Sequence, residues 1–468
     1  MDFYIRRVLI NDLFETGNNY KIDLTQGCNC IFGGNGTGKT TIINLIVNSL
    51  NVEIEQIAKT AFSSVVISLA KSGQSRAFKF LKISKQHDPS ISSTVVIYEL
   101  DGTTPCTFIV NSRKQMEQYS ETVDGLKKYI HDVVNLTHVP LLRMHDSELF
   151  GLRDERDDFL QTALRSRQLP QNQINEILDP STRVLNSLQK QFTAEANEAR
   201  KSITEKLETL KSKIIEKVMI DESLVKLSAK AMNRASKAIT TKLEDVDVSA
   251  YIKKLQEAKI NVPEDKIREH FVTWKKLNDG VRDAFKEMEV ARTLKDSKNT
   301  EAAKKNYQES MTAFNVAYCS LIAMANFNER FLSITEDVEA MQVEKFELTK
   351  SFREYEKEVN CYFNPRKHFN ITEDGMFRTR SNQRQIDLSD LSSGEKHILT
   401  ILGKAVLSRK YGSIFIADEP ELSLHLDWQR MILPSIIKLS PKSQIIVATH
   451  SPSIHASGAA EVDLEECR

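Results

Sequence analysis

The sequence carries no net charge: 64 lysines and arginines balance 64 aspartates and glutamates. This argues against a surface coated in basic charge for nucleic acid, and leaves a local patch open. Cysteine is scarce. Six are spread over 468 residues, at Cys28, Cys30, Cys106, Cys319, Cys361 and Cys467, and none forms a CxxC pair. A disulfide framework is excluded, and the expectation is reduced thiols in a cytoplasmic protein. Long hydrophobic runs are missing too. None approaches the roughly 18–20 residues of a membrane helix, so no membrane partner is expected. The opening MDFYIRRVLI has no signal-peptide apolar region. Glycine is absent from residues 152–374 except for Gly280. Turn-rich β structure is thereby excluded from that region.

What is present is globular: 40% hydrophobic and 27% charged residues. At about 100–200 residues per domain, the chain makes two to four structural units. Composition divides it into three. Residues 1–155 read as strands with short helices: YIRRVLI (4–10), YKIDL (20–24), CNCIF (28–32), SSVVISLA (63–70), SRAFKFLKI (75–83) and STVVIYEL (93–100) lie between turn residues. Residues 156–360 are rich in Lys, Glu, Ala, Leu and Gln. Apolar positions recur there in threes and fours, from Leu185, Leu188 and Phe192 to Leu210, Ile214 and Val218, and again from Met311, Phe314 and Tyr318 to Val338 and Met341. The spacing predicts several helices, two of them long, with an arm of about 40 residues reaching about 60 Å. Pro263 is placed as a first-turn proline. Residues 361–468 return to strands, with a hairpin about Asp374-Gly375 and two continuous apolar runs, GSIFIAD (412–418) and SQIIVATH (443–450). Such runs suit buried parallel strands that present polar groups at their C-terminal ends.

One motif carries chemistry directly. Gly33-Gly34-Asn35-Gly36-Thr37-Gly38-Lys39-Thr40 fits GxxxxGK[ST], after an apolar strand and before the apolar helix TIINLIVNSL (41–50). Glycines let backbone N–H groups encircle a phosphate, Lys39 reaches the β- and γ-phosphates, and the Thr40 hydroxyl suits Mg²⁺. A second element is IFIADE (414–419), an apolar strand ending in two acids. Asp418 suits a metal, and Glu419 suits a water to be deprotonated; a surface acidic turn would look the same. Leu391-Ser392-Ser393-Gly394-Glu395 is either a γ-phosphate contact, an N-cap, or both. His450 ends its strand either as a surface residue or facing phosphate and water.

In this order these residues resemble the ATP-binding-cassette ATPases, in particular the SMC/OLD-like branch. The resemblance covers residues 1–155 and 361–468. It implies an α/β fold: an ABC ATPase head, with a mixed sheet and flanking helices, split by a long helical insertion with a short coiled-coil-like arm. It implies ATP and Mg²⁺ as cofactors. Gly33, Asn35, Gly36, Thr37, Gly38, Lys39, Thr40 and Thr41 would hold the nucleotide, Thr40 and Asp418 the metal, and Glu419, His450 and Lys39 would act in hydrolysis. Ser392, Ser393 and Gly394 would contact a partner's nucleotide, which implies a homodimer or a higher homo-oligomer. Where transporters of this class carry Asp, this chain has His425, with Asp427 two residues on. A water-positioning glutamine is not evident, and Arg143 in VPLLRMHD (139–146) stands where one would be sought.

Only 18 residues follow His450, too few for a fused Toprim nuclease. In this the chain is similar to the ATPase subunits of two-protein antiphage systems, AriA of PARIS first and PtuA of Septu second. The implied partners are a separately encoded nuclease effector and a phage-encoded trigger, with DNA as a further candidate. The other expected activity is an SMC/RecF-like repair ATPase that clamps DNA.

Weaker signals stay with two readings. Lys226, Lys230, Arg234 and Lys237 share a helical face without acids between Glu222 and Glu244, as a nucleic-acid patch or a solvated face. Phe327, Phe331 and Phe346 are read either as exposed for a partner or as core, with core the favoured reading. Cys28 and Cys30 share one strand face, as packing or as metal ligands, with packing the favoured reading.

Overall fold

The computed structural model describes residues 3–34, 36–74, 76–88, 93–110, 119–140, 179–218, 229, 232–237, 239, 246–257, 260, 262–298, 300–382, 384–409, 413–454 and 456–468. Asn35, Arg143, Lys226 and Lys230 lie outside the described residues. In chain order the elements are β1 (Phe3–Asn11), β2 (Tyr20–Asp23), β3 (Cys28–Phe32), α1 (Lys39–Leu50), α2 (Ile54–Lys59), β4 (Ser64–Lys71), β5 (Ala77–Asp88), β6 (Ser93–Leu100), β7 (Cys106–Val110), α3 (Ser120–Val133) and β8 (Asn135–Val139). Then come α4 (Pro180–Val218), α5 (Val248–Glu257), α6 (Glu264–Lys298) and α7 (Glu301–Phe363). The chain closes with β9 (His368–Ile371), β10 (Phe377–Ser381), β11 (Arg384–Ile386), α8 (Ser393–Leu407), β12 (Ser413–Asp418), α9 (Leu426–Leu439), β13 (Gln444–Ala448) and β14 (Ala460–Asp463).

The fold is α/β with a long helical insertion. Two compact units form, residues 1–196 with 351–468, and residues 197–350. In the first, the parallel and antiparallel pairings are divided between sheets. A five-stranded sheet, order β14-β3-β13-β12-β8, is parallel throughout. A six-stranded sheet, order β2-β1-β4-β5-β6-β7, is antiparallel. The small sheet β11-β10-β9 contains the hairpin expected about Asp374-Gly375.

Both faces of the parallel sheet are covered at its centre, which is why β12 and β13 read as apolar runs, whereas the edge strands β14 and β8 do not. Alternate side chains go to opposite sides. Ile414, Ile416, Ile446 and Ile31 join α1 and the antiparallel sheet in one core. Phe415, Ala417, Ile445 and Val447 join α8 and α9 in a second core, with Leu188, Phe192 and Tyr355. Cys28 and Cys30 lie in that second core as free thiols. Each fully buried Ile or Phe contributes about 1.5–3 kcal/mol, so the sheet is held mainly by these two layers.

In the helical unit, Leu210, Ile252, Leu255, Phe271, Val338 and Met341 form one cluster, and Ala235, Val281 and Leu321 another. Pro263 directly precedes α6, as its missing N–H favours. α7 runs to 63 residues, longer than the roughly 40 expected from the apolar spacing. Phe331 packs in the first cluster, but Phe327 and Phe346 are 62% and 48% exposed, against the core expectation. Helical spacing identifies a stripe, not what covers it. Arg234, from the basic stretch, is paired with Glu329 at 2.6 Å. No helix among the described residues is long and apolar enough to cross a membrane.

Candidate nucleotide site

Because β3, β13 and β12 run parallel and side by side, their C-terminal ends share one edge. The loop 33–38 leaves β3 there, Glu419 follows β12, and Thr449 and His450 follow β13. The register aligns Ile31, Ala448 and Asp418 across the three strands.

The loop is shaped by its glycines. Gly36 and Gly38 have φ of 82° and 90°, in the left-handed region. Gly38 is the N-cap of α1, so the first-turn amides of α1 point toward the loop. A Cβ on Gly38 would also meet the ring of Phe14 at 3.1 Å. Phe14 itself is half exposed, with φ of 67°. Its place against the loop was not apparent in the sequence, because Phe14 belongs to the turn between β1 and β2. Lys39 is buried and donates to the carbonyls of Gly33 at 2.7 Å and Gly34 at 3.0 Å. Thr37 donates its hydroxyl to the Gly34 carbonyl at 2.9 Å.

Asp418 is 3% exposed, and neither carboxylate oxygen has a hydrogen-bond partner among the described residues. Burial raises its pKa to about 6. The Thr40 hydroxyl, outside hydrogen-bonding geometry, acts against that rise; Glu419 and Glu421 add to it, and Lys39 opposes it. A buried carboxylate without a partner is costly, and a divalent cation held with the Thr40 hydroxyl would offset the cost. The donor set, a hydroxyl and a carboxylate oxygen, suits Mg²⁺.

Glu419 turns out of β12 with φ of 46°, a conformation unusual for a side chain of this size. Its amide donates to the Ala448 carbonyl at 2.8 Å, which holds the turn. Oε1 of Glu419 lies 3.2 Å from Nδ1 of His450. His450 is exposed, while Glu419 is partly covered. Two further residues complete this edge. Glu421 is buried, accepts the Thr449 hydroxyl, and has its pKa raised chiefly by burial. The second acid of DEPE and the threonine before His450 were the available signals for them.

The LSSGE segment has other partners. Ser392 caps α8: Glu395 donates its amide to the Ser392 hydroxyl at 3.3 Å, and Ser392 donates its amide to the Glu395 carboxylate at 2.8 Å. Lys367 also reaches Glu395, at 2.8 Å. Gly394 is required by a close approach, since a Cβ there would lie 2.9 Å from the Ser423 carbonyl oxygen. Ser393 opens α8 beside them, and Thr41 lies in the first turn of α1. His425 caps α9 by accepting the Asp427 amide at 3.4 Å.

A glycine-rich loop, a buried carboxylate without a partner among the described residues and an acid–histidine pair thus meet on adjacent parallel strand ends, the arrangement of a candidate P-loop nucleotide site. The chain belongs to the AAA ATPase domain family AAA_15, whose model matches residues 5–455. None of the curated proteins matches it. Among solved structures it is similar to an Smc head domain with an extended coiled coil, bound to the C-terminal domain of ScpA, from Pyrococcus furiosus. That match has 12% identity, covers 97% of this chain and 91% of that one, and has a TM-score of 0.35. An Smc head domain with a coiled coil and joint from Pyrococcus yayanosii matches at 15% identity, over 97% and 93% of the two chains, with a TM-score of 0.37. An SmcHead bound to the C-winged helix domain of ScpA matches at 10% identity, over 96% and 90%, with a TM-score of 0.33.

Proposed function

We propose that this protein is an ABC-type ATPase that binds ATP with Mg²⁺ and hydrolyses it. The observation that carries this reading is the convergence of Lys39, Asp418, Glu419 and His450 at one edge of the parallel sheet. Lys39 and the loop amides bind the β- and γ-phosphates, with the lysine exchanging its carbonyl partners for phosphate oxygens. Thr40 and Asp418 would hold Mg²⁺, which supplies charge neutralisation on the phosphates. Glu419 orients the attacking water and takes its proton as the water oxygen bonds to the γ-phosphorus and the bond to the β–γ bridging oxygen breaks. His450 holds the Glu419 carboxylate in place and faces the transferred phosphoryl group. Ser392, Ser393 and Gly394, at the start of α8, act on the nucleotide of a second copy, so the working unit is at least a dimer.

Within that class, the ATPase serves as the sensor and scaffold of a two-protein antiphage system of the AriA type. It holds a separately encoded nuclease and releases it when a phage-encoded trigger arrives. The order of motifs, the DEPELSLHLDWQ segment and the moderate helical insertion support this reading. The long helices α4, α6 and α7 favour a second reading, an SMC/RecF-like ATPase that clamps DNA. Affinity capture of Glu419→Gln from cells carrying the native locus, with ATP present, separates them. A large assembly holding a nuclease in fixed ratio is expected. A bare dimer retaining only DNA would overturn the defence reading in favour of repair, and absence of ATP binding would overturn both.

A further inference from the structure

At the edge of the parallel sheet opposite the candidate nucleotide site lies a cavity of about 370 Å³. Gly27 precedes β3, Ser413 opens β12 and Gln444 opens β13, and all three line it. The same strands lead to the glycine-rich loop, Asp418 and His450, roughly 17 Å away at about 3.3 Å per residue along β12. The proposed ATPase mechanism uses nothing in this cavity. Two observations mark it as more than a packing gap. Ser413 is 1% exposed, and its hydroxyl has no hydrogen-bond partner among the described residues. An unpaired buried hydroxyl is costly, and a ligand acceptor in the cavity would offset that cost. Gly27 has no positive φ, and a Cβ built on it would meet nothing within 4 Å. The backbone therefore does not require glycine here, and its effect is to leave the space clear.

The hydrogen-bonding groups of the walls give the ligand's chemistry. Ser72 accepts from Gln26 Nε2, which leaves the Ser72 proton and the second Gln26 amide hydrogen to give. The Ser413 proton is a third donor. The side-chain amide oxygens are engaged: that of Gln26 accepts the Gly73 amide at 3.2 Å, and that of Gln444 accepts the Ile5 amide at 2.9 Å. No carboxylate is among the described residues that line the cavity. Lys442 brings a positive charge to the rim while holding a further contact within the chain, so recognition falls to the neutral donors. Phe3, packed edge-on against Phe78 at 5.7 Å, and Pro441 supply an apolar wall. We infer that this cavity binds a small organic anion, a carboxylate or phosphate group on a flat apolar body. Its oxygens accept from Ser413, Ser72 and Gln26, and its body lies against Phe3 and Pro441. The volume is at the low end for ligand sites, which suits a single-ring molecule. A cation fits less well, because it would meet donors and no acid. This inference is independent of the nucleotide reading.

The test uses the full chain and four probes that share one ring: benzoate, phenyl phosphate, benzamide and benzylamine, followed by saturation-transfer NMR. Each is titrated onto the wild type, Ser413→Ala, Gly27→Leu and Lys39→Ala. Benzoate or phenyl phosphate is expected to bind the wild type at least about tenfold more tightly than benzamide or benzylamine, and the tighter of the two anions identifies carboxylate or phosphate as the head group. Ser413→Ala is expected to weaken that anion about tenfold or more, the usual loss for one hydrogen bond to a charged group. It should not lower Tm, because the hydroxyl it removes is unpaired. Gly27→Leu is expected to abolish binding by filling the cavity, and Lys39→Ala to leave binding unchanged. No anion binding at millimolar concentration, or benzamide or benzylamine binding as tightly, would overturn the proposal. So would anion binding that Ser413→Ala or Gly27→Leu leaves unchanged. Loss of binding in Lys39→Ala would place the probe at the glycine-rich loop and overturn it too. The comparison of the four probes on the wild type decides even if Gly27→Leu fails to fold.

Discussion

Nδ1 of His450 lies 3.2 Å from Oε1 of Glu419, although 31 residues separate them in sequence. The contact exists because β12 and β13 are parallel neighbours, so the residues just beyond their ends share one edge. In the proposed mechanism this pair handles the water, which makes it the first place to intervene.

Glu419→Gln keeps the shape and removes the base. ATP binding is expected to persist, and hydrolysis to fall by roughly 10²–10⁴-fold, the usual contribution of a positioned base. A phosphate-release assay beside nucleotide-binding fluorescence checks it; wild-type turnover would remove Glu419 from the mechanism.

Lys39 contributes one ammonium to a loop otherwise made of backbone. Lys39→Ala is expected to abolish most ATP affinity, while the fold survives because the glycine φ values and α1 packing do not depend on that side chain. Equilibrium dialysis and far-UV circular dichroism report the two separately.

Asp418 predicts a pH dependence of stability. Burial raises its pKa from 3.8 to about 6 in the folded state. Below about pH 4 both states are protonated, and Asp418 contributes nothing. As pH rises through the interval to about 6, the unfolded chain ionises first, and stability is lost; above it the full cost, on the order of 3 kcal/mol, is present. In metal-free buffer Asp418→Asn should therefore raise Tm at pH 7.5 and leave it unchanged near pH 4. Mg²⁺ should raise the Tm of the wild type and not of the variant. A Tm difference independent of pH would refute the burial argument.

Ser392 has two roles to separate. The capping box makes it worth about 1 kcal/mol to α8, so Ser392→Ala should lower stability by that amount. Ser392→Asp keeps a capping oxygen and removes the hydroxyl. Stability should return near wild type while ATP hydrolysis stays impaired. Full recovery of hydrolysis would leave Ser392 as a cap alone.

Much of this was legible in the sequence, for local reasons. The phosphate loop is readable because positive φ at Gly36 and Gly38 is a property of single residues. The strands β3, β12 and β13 are readable because burial on both faces demands unbroken apolar runs. The cap at Ser392 is readable because its partner Glu395 is three residues away. Phe14 was not readable, since its neighbour Gly38 comes from another element. The contact of Glu421 with Thr449 was not, since the hydroxyl that reaches one oxygen of the carboxylate lies 28 residues away.

The sequence by itself determined which segments form strands and helices, where the glycine-rich loop lies, and which residues are candidates for phosphate chemistry, because backbone preference and apolar period act over a few residues. Tertiary structure alone decided that β13 lies between β3 and β12, which brings His450 to Glu419. It alone decided that Asp418 is buried without a partner among the described residues and that Val316 and Phe327 face solvent. Those properties depend on which surfaces meet, and a one-dimensional pattern records only that a surface is apolar or charged.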